Sequence, residues 1–475
     1  MLIRHTAYYL LARGLPGLVN FAALAVYTRL ISPEGFGRYS LVLAGVSLAN
    51  VVLFQWLRLV LLRFIQAHGD EPQRFLAGIF ALFLTLALAA TGVGVLLALC
   101  WPDPAWRHLL ALAVPLLLAQ AWFELNLELV RARLEPLAYG KMLGSKAVIA
   151  LSIGALLAWI GIGAAAPMLG LIAGQALAFL LFGLAAWKRV RPAWPAAIEL
   201  REQLRYGLPL TATFALTWVV SSSDRFMLAW FLDDAVVGGY AAGYDLAFQA
   251  ITLLLVVINT AAHPLAINAL ERHGISSAQE QLRRNGELIM VAALTSAAVL
   301  ILLGPALVQV LIGANFREDA LRILPWVAAA SALAGIKAYY FDMAFHLGRR
   351  SGWLVITSAF AALLNLVLNL LLIPRFGIIG AAIATFSAYL AAMLASAAFG
   401  SQAFPMPAAL ALWTKASIIA GVTAVAVFWL MPDDLNAIIQ LAVGGAMSAA
   451  LALALSVLLN VVDLRRRLSD QLRKG

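Results

Sequence analysis

Nine charged side chains interrupt runs that are otherwise apolar: Arg13, Arg58, Glu124, Glu128, Asp224, Arg225, Asp245, Lys337 and Asp342. A charge at the centre of a bilayer costs at least ~2.5 kcal/mol on insertion scales, so such residues face a cavity or a partner. A carboxylate that alternates between protonated and paired states can couple movement to an ion gradient, provided its surroundings raise its pKa. Asp245, Asp342, Glu124 and Asp224 are the candidates, and the residues do not choose between proton and sodium, or exclude transport without coupling. Local pairing competes with these roles. Asp224 and Arg225 point about 100° apart on a helix, and each can pair across to a neighbour, Arg225 with Asp245 for example. Arg58 can snorkel to the membrane surface, and Glu128 has Arg131 three residues on. Arg13 and Lys337 lack an obvious local partner. Nothing reads GxxxxGK[ST], so no nucleotide site is expected. With one cysteine, Cys100, and six histidines at no ligand spacing, His263, His273 and His346 among them, no metal or cofactor is expected either.

The elements that must hold these charges are membrane helices. The chain has 475 residues, 63% hydrophobic and 12% charged, with a mean hydropathy of +0.92. A soluble domain is about half apolar and a quarter charged, so the composition excludes one, and it excludes disorder. A crossing needs roughly 20 apolar residues, and fourteen runs qualify: 8–31, 39–62, 75–100, 108–130, 143–162, 166–187, 207–232, 238–263, 287–311, 323–346, 353–374, 377–399, 412–431 and 436–461. The first is too long for a signal peptide and is expected to be retained. Of the 33 basic residues, 23 then fall on one side, 6 on the other and 4 inside helices. That bias is the positive-inside pattern and predicts both termini in the cytoplasm. The net charge of +10 is read as this orientation signal and not as a nucleic-acid surface.

The longest polar stretch, Lys188 to Arg205, falls near mid-chain and continues into an amphipathic run, Ile198 to Tyr206. The division expected is a six-helix bundle over 1–187, a cytoplasmic linker over 188–206, a second six-helix bundle over 207–399, and two further helices with a basic tail over 400–475. Gly14-Leu15-Pro16 in helix 1 has a counterpart in Gly207-Leu208-Pro209 of helix 7, and Gly37-Arg38-Tyr39 has one in Gly238-Gly239-Tyr240. Duplicated bundles around a central site are a transporter plan. Trp101, Trp106, Trp187, Trp230 and Trp429 lie near helix ends and are expected in interface belts. Asn365 and Asn369, one turn apart, are expected to make interhelical hydrogen bonds.

Three hairpins carry a family resemblance. Leu30 to Tyr39, with Ser32-Pro33-Glu34-Gly35-Phe36-Gly37 inside it, resembles the first outside turn of the bacterial polysaccharide transporter family. Ser223-Asp224-Arg225-Phe226-Met227-Leu228 with Val237-Gly238-Gly239-Tyr240 resembles its helix 7–8 hairpin. Leu364 to Thr385, including Asn365, Asn369, Pro374, Gly377 and Gly380, is similar to the helix 11–12 hairpin of the multidrug/oligosaccharidyl-lipid/polysaccharide exporter superfamily. The resemblance implies an all-α polytopic fold of two pseudo-symmetric bundles, working by alternating access. It implies flipping of a polyprenyl-diphosphate-linked oligosaccharide across the bacterial inner membrane, for O-antigen, capsule or exopolysaccharide assembly, with no catalytic residue to carry over.

On that implication Arg13, Arg58, Arg225 and Lys337 would meet the diphosphate, since arginine offers phosphate a bidentate fork. Asn20 and Gln55 would meet sugar hydroxyls, with Trp218, Tyr244, Gln249 and Tyr339 as further candidates. The expected partners are the lipid-linked oligosaccharide, membrane lipids, and the polymerase and glycosyltransferases of the same pathway. A monomer is expected. Alternatives are an ion-coupled drug or metabolite exporter of the same superfamily and a lipid II flippase. A membrane polysaccharide polymerase is a remote one, because no outside loop is large enough for a catalytic site.

Overall fold

A computed structural model describes residues 2–67, 72–350, 352–432 and 435–463; the basic run Arg465-Arg466-Arg467 lies outside them. All the regular structure among the described residues is helical. In chain order the helices are α1 (Leu2–Leu30), α2 (Pro33–Phe64), α3 (Pro72–Cys100), α4 (Pro104–Ala132), α5 (Pro136–Trp159), α6 (Ala165–Phe182), α7 (Ala197–Phe231) and α8 (Asp234–Leu311). They continue as α9 (Arg317–Ile336), α10 (Met343–Leu347), α11 (Gly352–Ala403), α12 (Ala409–Leu430) and α13 (Ala437–Leu458). Helix starts follow local chemistry. Proline opens α2, α3, α4 and α5, where its missing N–H is no loss. Ser32 caps α2 by accepting from the Gly35 N–H at 3.2 Å, and Asp103 caps α4 by accepting from the Ala105 N–H at 2.8 Å.

Ten helical segments are long and apolar enough to cross a membrane: α2 to α6, α8, the run 314–347, α11, α12 and α13. This is a multi-pass membrane protein. The expectation of fourteen crossings is not established by that number. Two of the ten are long segments broken at a glycine in a backbone conformation closed to most residues: α8 at Gly274 (φ 81°) and α11 at Gly377 (φ 55°). The expected spans 8–31 and 207–232 lie in α1 and α7, which are not among the ten. In α7 the polar run Ser221-Ser222-Ser223-Asp224-Arg225 dilutes the apolar content.

The chain divides into two compact units, Met1–Gly238 and Gly239–Gly475. In the first, α2 packs on α4 and α7, and α5 on α6 and α1. Its apolar core includes Leu57, Val60, Leu61, Leu116 and Met168. Trp122 sits among Phe80, Phe83, Phe179 and Trp187. Trp187, expected in an interface belt, is instead 9% exposed and donates its indole N–H to Asn126 Oδ1 at 2.6 Å. The chain after α6 turns in a short 3-10 helix, which tucks that ring inward. Trp101, Trp230 and Trp429 are exposed.

The first turn of α2 meets the start of α8 backbone to backbone. A methyl on Gly37 would overlap the Asp234 carbonyl, and one on Gly238 the Pro33 carbonyl. Arg38 clamps the same junction, its Nε 2.9 Å from Asp234 and its Nη2 2.5 Å from Glu34. Gly37→Ala is therefore expected to destabilise the protein by about 1–3 kcal/mol through overpacking. Thermal unfolding in detergent checks this against Gly92→Ala, since an added methyl at Gly92 meets no atom within 4 Å.

In the second unit the tail of the described chain is tied to the middle of α8. Glu287, 2% exposed, accepts from Arg283 Nη1 at 2.8 Å, Lys415 Nζ at 2.9 Å and the Val462 N–H at 2.7 Å. Val462 has a φ of 55°, unusual for a β-branched residue, and the Glu287 bond holds it there. Glu280, in the polar stretch between the two apolar runs of α8, is held below the usual carboxylate range by its hydrogen bond to Arg283. A small apolar core of Ala266, Leu282, Met343 and Phe404 packs beside this region.

Candidate functional site

The membrane charges fall into separate clusters within each unit. In the first unit, α2 presents Asn50, Gln55 and Arg58, and α4 presents Gln120 and Glu124. Arg58 forms an ion pair with Glu124 and donates to the Gln55 side-chain oxygen. Glu124 also accepts from Asn50 Nδ2 at 2.8 Å and from Gln120 Nε2 at 3.1 Å. The Arg58 and Glu124 side chains are 13% and 27% exposed. Two buried polar atoms in this cluster have no partner, Arg58 Nε and Asn50 Oδ1. Groups of this kind are seldom left unsatisfied, and each calls for an explanation. A donor and an acceptor are thus left open in one cluster.

Asn50 and Gln120 were not among the expected site residues. The signal for Gln120 was its place one turn before Glu124 on α4. Asn50 had none, because its partner is 74 residues away. Glu128, one turn after Glu124, pairs with Arg131 at 3.5 Å as expected.

Lys146 is not among the nine charges that the sequence reading places within the membrane. In the structure it lies well inside α5. It is half-buried and sits two residues, about 200°, from Val148, which is 49% exposed on the outer face of the helix. Its Nζ lies 5.5 Å from the centroid of the Phe123 ring, a cation–π contact. Among the described residues it has no carboxylate partner. Phe123 adjoins Glu124, so Arg58 and Lys146 address neighbouring faces of α4.

The other expected residues are placed as follows. Arg13 lies in α1, its side chain outside the described residues, and Asn20 is exposed on the same helix. Asp224, fully buried, accepts from the Arg225 N–H at 2.9 Å, and Arg225 Nη1 donates to Ser40 Oγ at 2.8 Å. Asp245 is half-buried in α8, Tyr244 beside it is buried, and Gln249, Trp218 and Tyr339 are half-buried.

Lys337 does have a local partner, which corrects the expectation. Its Nζ is 2.7 Å from Asp342 Oδ2, and Asp342 Oδ1 accepts from Ser396 Oγ at 2.8 Å. The cause is a π-helical turn over Lys337–Phe341, in which the Asp342 N–H donates to the Lys337 carbonyl at 2.9 Å. An i→i+5 turn brings together side chains that α-helical spacing sets about 140° apart. As a coupling group Asp342 must first release Lys337, and Glu124 must release Arg58.

Asn365 and Asn369 are both fully buried, as the interhelical expectation requires. Asn369 Nδ2 donates to Asn365 Oδ1 at 3.0 Å, and Asn365 Nδ2 to Thr385 Oγ1 at 3.4 Å, across the break at Gly377. His263 and His346, which no sequence spacing linked, stand edge to face with ring centroids 5.6 Å apart. Among the described residues no three His, Cys, Asp or Glu side chains group as a metal site.

The fold is shared with known transporters. A lipid II flippase, MurJ, in an inward closed conformation superimposes with a TM-score of 0.79 at 13% identity, over 95% of this chain and 98% of that one. An inward-facing multidrug resistance MATE family transporter of the MOP superfamily gives 0.62 at 15% identity, over 83% and 97%. A MOP superfamily transporter from Pyrococcus furiosus gives 0.62 at 13% identity, over 84% and 94%. No curated protein matches by sequence. Residues 26–320 match the family described as polysaccharide biosynthesis protein, and on that match, which covers more than half of its length, the chain belongs to this family.

Proposed function

We propose that the protein is a flippase for a polyprenyl-diphosphate-linked oligosaccharide, moving it from the cytoplasmic to the outer leaflet of the bacterial inner membrane by alternating access, with both termini in the cytoplasm. The observation that carries this reading is the pair of basic groups on neighbouring faces of α4. Arg58 keeps an unsatisfied buried Nε, and Lys146 has no carboxylate partner among the described residues. Both are suited to phosphate oxygens, to which hydrogen bonds are charge-assisted. The amides of Asn50, Gln55 and Gln120 supply polar groups for the first sugar. The protein acts without chemical change to its substrate.

Chromosomal deletion tests the reading. Surface polysaccharide is expected to disappear while complete lipid-linked repeat units accumulate on the cytoplasmic leaflet. Normal surface polymer with no accumulated intermediate, in a strain with no second transporter of this family, overturns it. A second reading has a specific observation behind it, the likeness of fold to a lipid II flippase over nearly the whole of both chains. Under that reading the deletion strain accumulates peptidoglycan precursor instead and fails to grow.

A further inference from the structure

We propose that the first unit carries a second small-molecule site, apart from the membrane charges, that holds a phosphoethanolamine group. The site is a cavity of about 140 Å³ where α3 begins and the segment leading into α7 lies against it. Arg74, Phe75 and Gly78 of α3 form one wall. Ala193, Trp194, Pro195, Glu199 and Gln203 form the other.

The walls are fixed to each other by the backbone. The Ala193 N–H donates to the Ala77 carbonyl at 3.2 Å, and Gly78 lets the Pro195 ring approach to the distance at which a methyl would just touch it. The cavity is therefore built into the fold. It is smaller than the ~300–1,000 Å³ of drug-sized pockets and much too small for an oligosaccharide.

Its lining points to a ligand with both charges. Gln203 is 6% exposed, and its side-chain oxygen is buried with no hydrogen-bond partner. A buried amide in that state lacks something that proteins almost always supply. Glu199, one turn before Gln203 on α7, has no ion-pair partner among the described residues. Together they offer a carboxylate and an amide to an ammonium group that can donate hydrogen bonds. Arg74, in the opposite wall, brings the positive charge of a guanidinium to a phosphate. A purely anionic headgroup would meet the Glu199 carboxylate, and a trimethylammonium group has no N–H for Gln203.

The depth of the site fits a phospholipid headgroup. Trp194, in its wall, is 65% exposed, and Ile198, next to Glu199 in sequence, is 83% exposed. An exposed tryptophan and an exposed aliphatic residue near the start of α3, which is long and apolar enough to cross a membrane, mark the level of the membrane interface.

The test is native mass spectrometry of the full-length protein released from nanodiscs that contain equal phosphatidylethanolamine, phosphatidylcholine and phosphatidylglycerol. One phosphatidylethanolamine is expected to stay bound in preference to the other two. Glu199→Gln is expected to lower its retention about tenfold, the loss of one charge-assisted contact. Glu199→Lys is expected to turn the preference to phosphatidylglycerol, a gain that misfolding cannot mimic. Soluble glycerophosphoethanolamine at millimolar concentration separates the two sources of the group. If it displaces the lipid, the natural ligand is the water-soluble compound; if it does not, the ligand is the lipid. Equal retention of all three lipids, or a Glu199→Lys protein with the wild-type preference, overturns the proposal.

Discussion

Arg58→Ala is expected to lower both the stability of the protein and its ability to support surface polymer. The substitution leaves Glu124 partly buried, with Asn50 and Gln120 as its remaining donors. Breaking a buried ion pair from one side costs about 3–5 kcal/mol. The two amides and the 27% exposure of Glu124 place this case near the lower end, about 3 kcal/mol. Thermal unfolding in detergent reads that loss directly. A structural role and a substrate role separate in the double variant. Glu124→Gln in the Arg58→Ala background removes the stranded charge, so stability is expected to recover by about 1–3 kcal/mol, the coupling expected of groups in direct contact. Transport is not expected to recover, because the guanidinium that meets the phosphate is still missing. Recovery of both would reduce Arg58 to a structural partner of Glu124 and remove it from the substrate path.

The parts of the fold that were legible in the sequence are those that local chemistry decides. Ser32-Pro33 and Asp103-Pro104 begin helices, a few residues before the apolar runs expected from 39 and 108, because a side-chain acceptor and a proline that needs no hydrogen bond stand side by side. Glu128 finds Arg131 because the pair lies within one turn; Asn369, expected to bond to another helix, instead donates to Asn365 one turn away. The site was legible only in part, and its gaps have physical causes. Arg58 was recognisable as a costly charge, but its principal partner, Glu124, comes from another helix. Lys337 was read with α-helical spacing, and a π turn gave it Asp342. Trp187 was read from its place at the end of an apolar run. Its indole needed a hydrogen-bond partner, which Asn126 supplies from α4. Lys146 was not among the nine charges read as interrupting apolar runs. Which way a side chain points on a helix in the bilayer depends on which faces the neighbouring helices cover, and one helix alone does not carry that information. The same holds for the close approach of the backbones at Gly37 and Gly238: the sequence marked the two glycines as counterparts, but not that they meet.

Lys146→Met is expected to move transport and stability in opposite directions. The wild-type ammonium is withdrawn from water with an aromatic face as its contact, and a cation–π contact offsets desolvation by only about 0.5–2 kcal/mol. Methionine keeps most of the side-chain volume and removes the charge, so the unfolding temperature in detergent is expected to stay level or rise. A charge-assisted hydrogen bond to a phosphate oxygen is worth about 1.5–3 kcal/mol. Its loss therefore corresponds to transport weaker by about tenfold to a hundredfold, read as surface polymer at limiting expression. Lys146→Arg keeps the charge and is expected to retain most of the activity. Phe123→Leu removes the ring that positions the ammonium, and is expected to give an intermediate loss with Lys146 intact. The divergence of the two measurements is what distinguishes a substrate contact from a packing residue: a residue that serves only the fold lowers both together. Lys146→Met that supports wild-type levels of polymer at limiting expression would sink the assignment. The diphosphate would then have to be met by Arg58, with Lys146 no more than a snorkelling side chain.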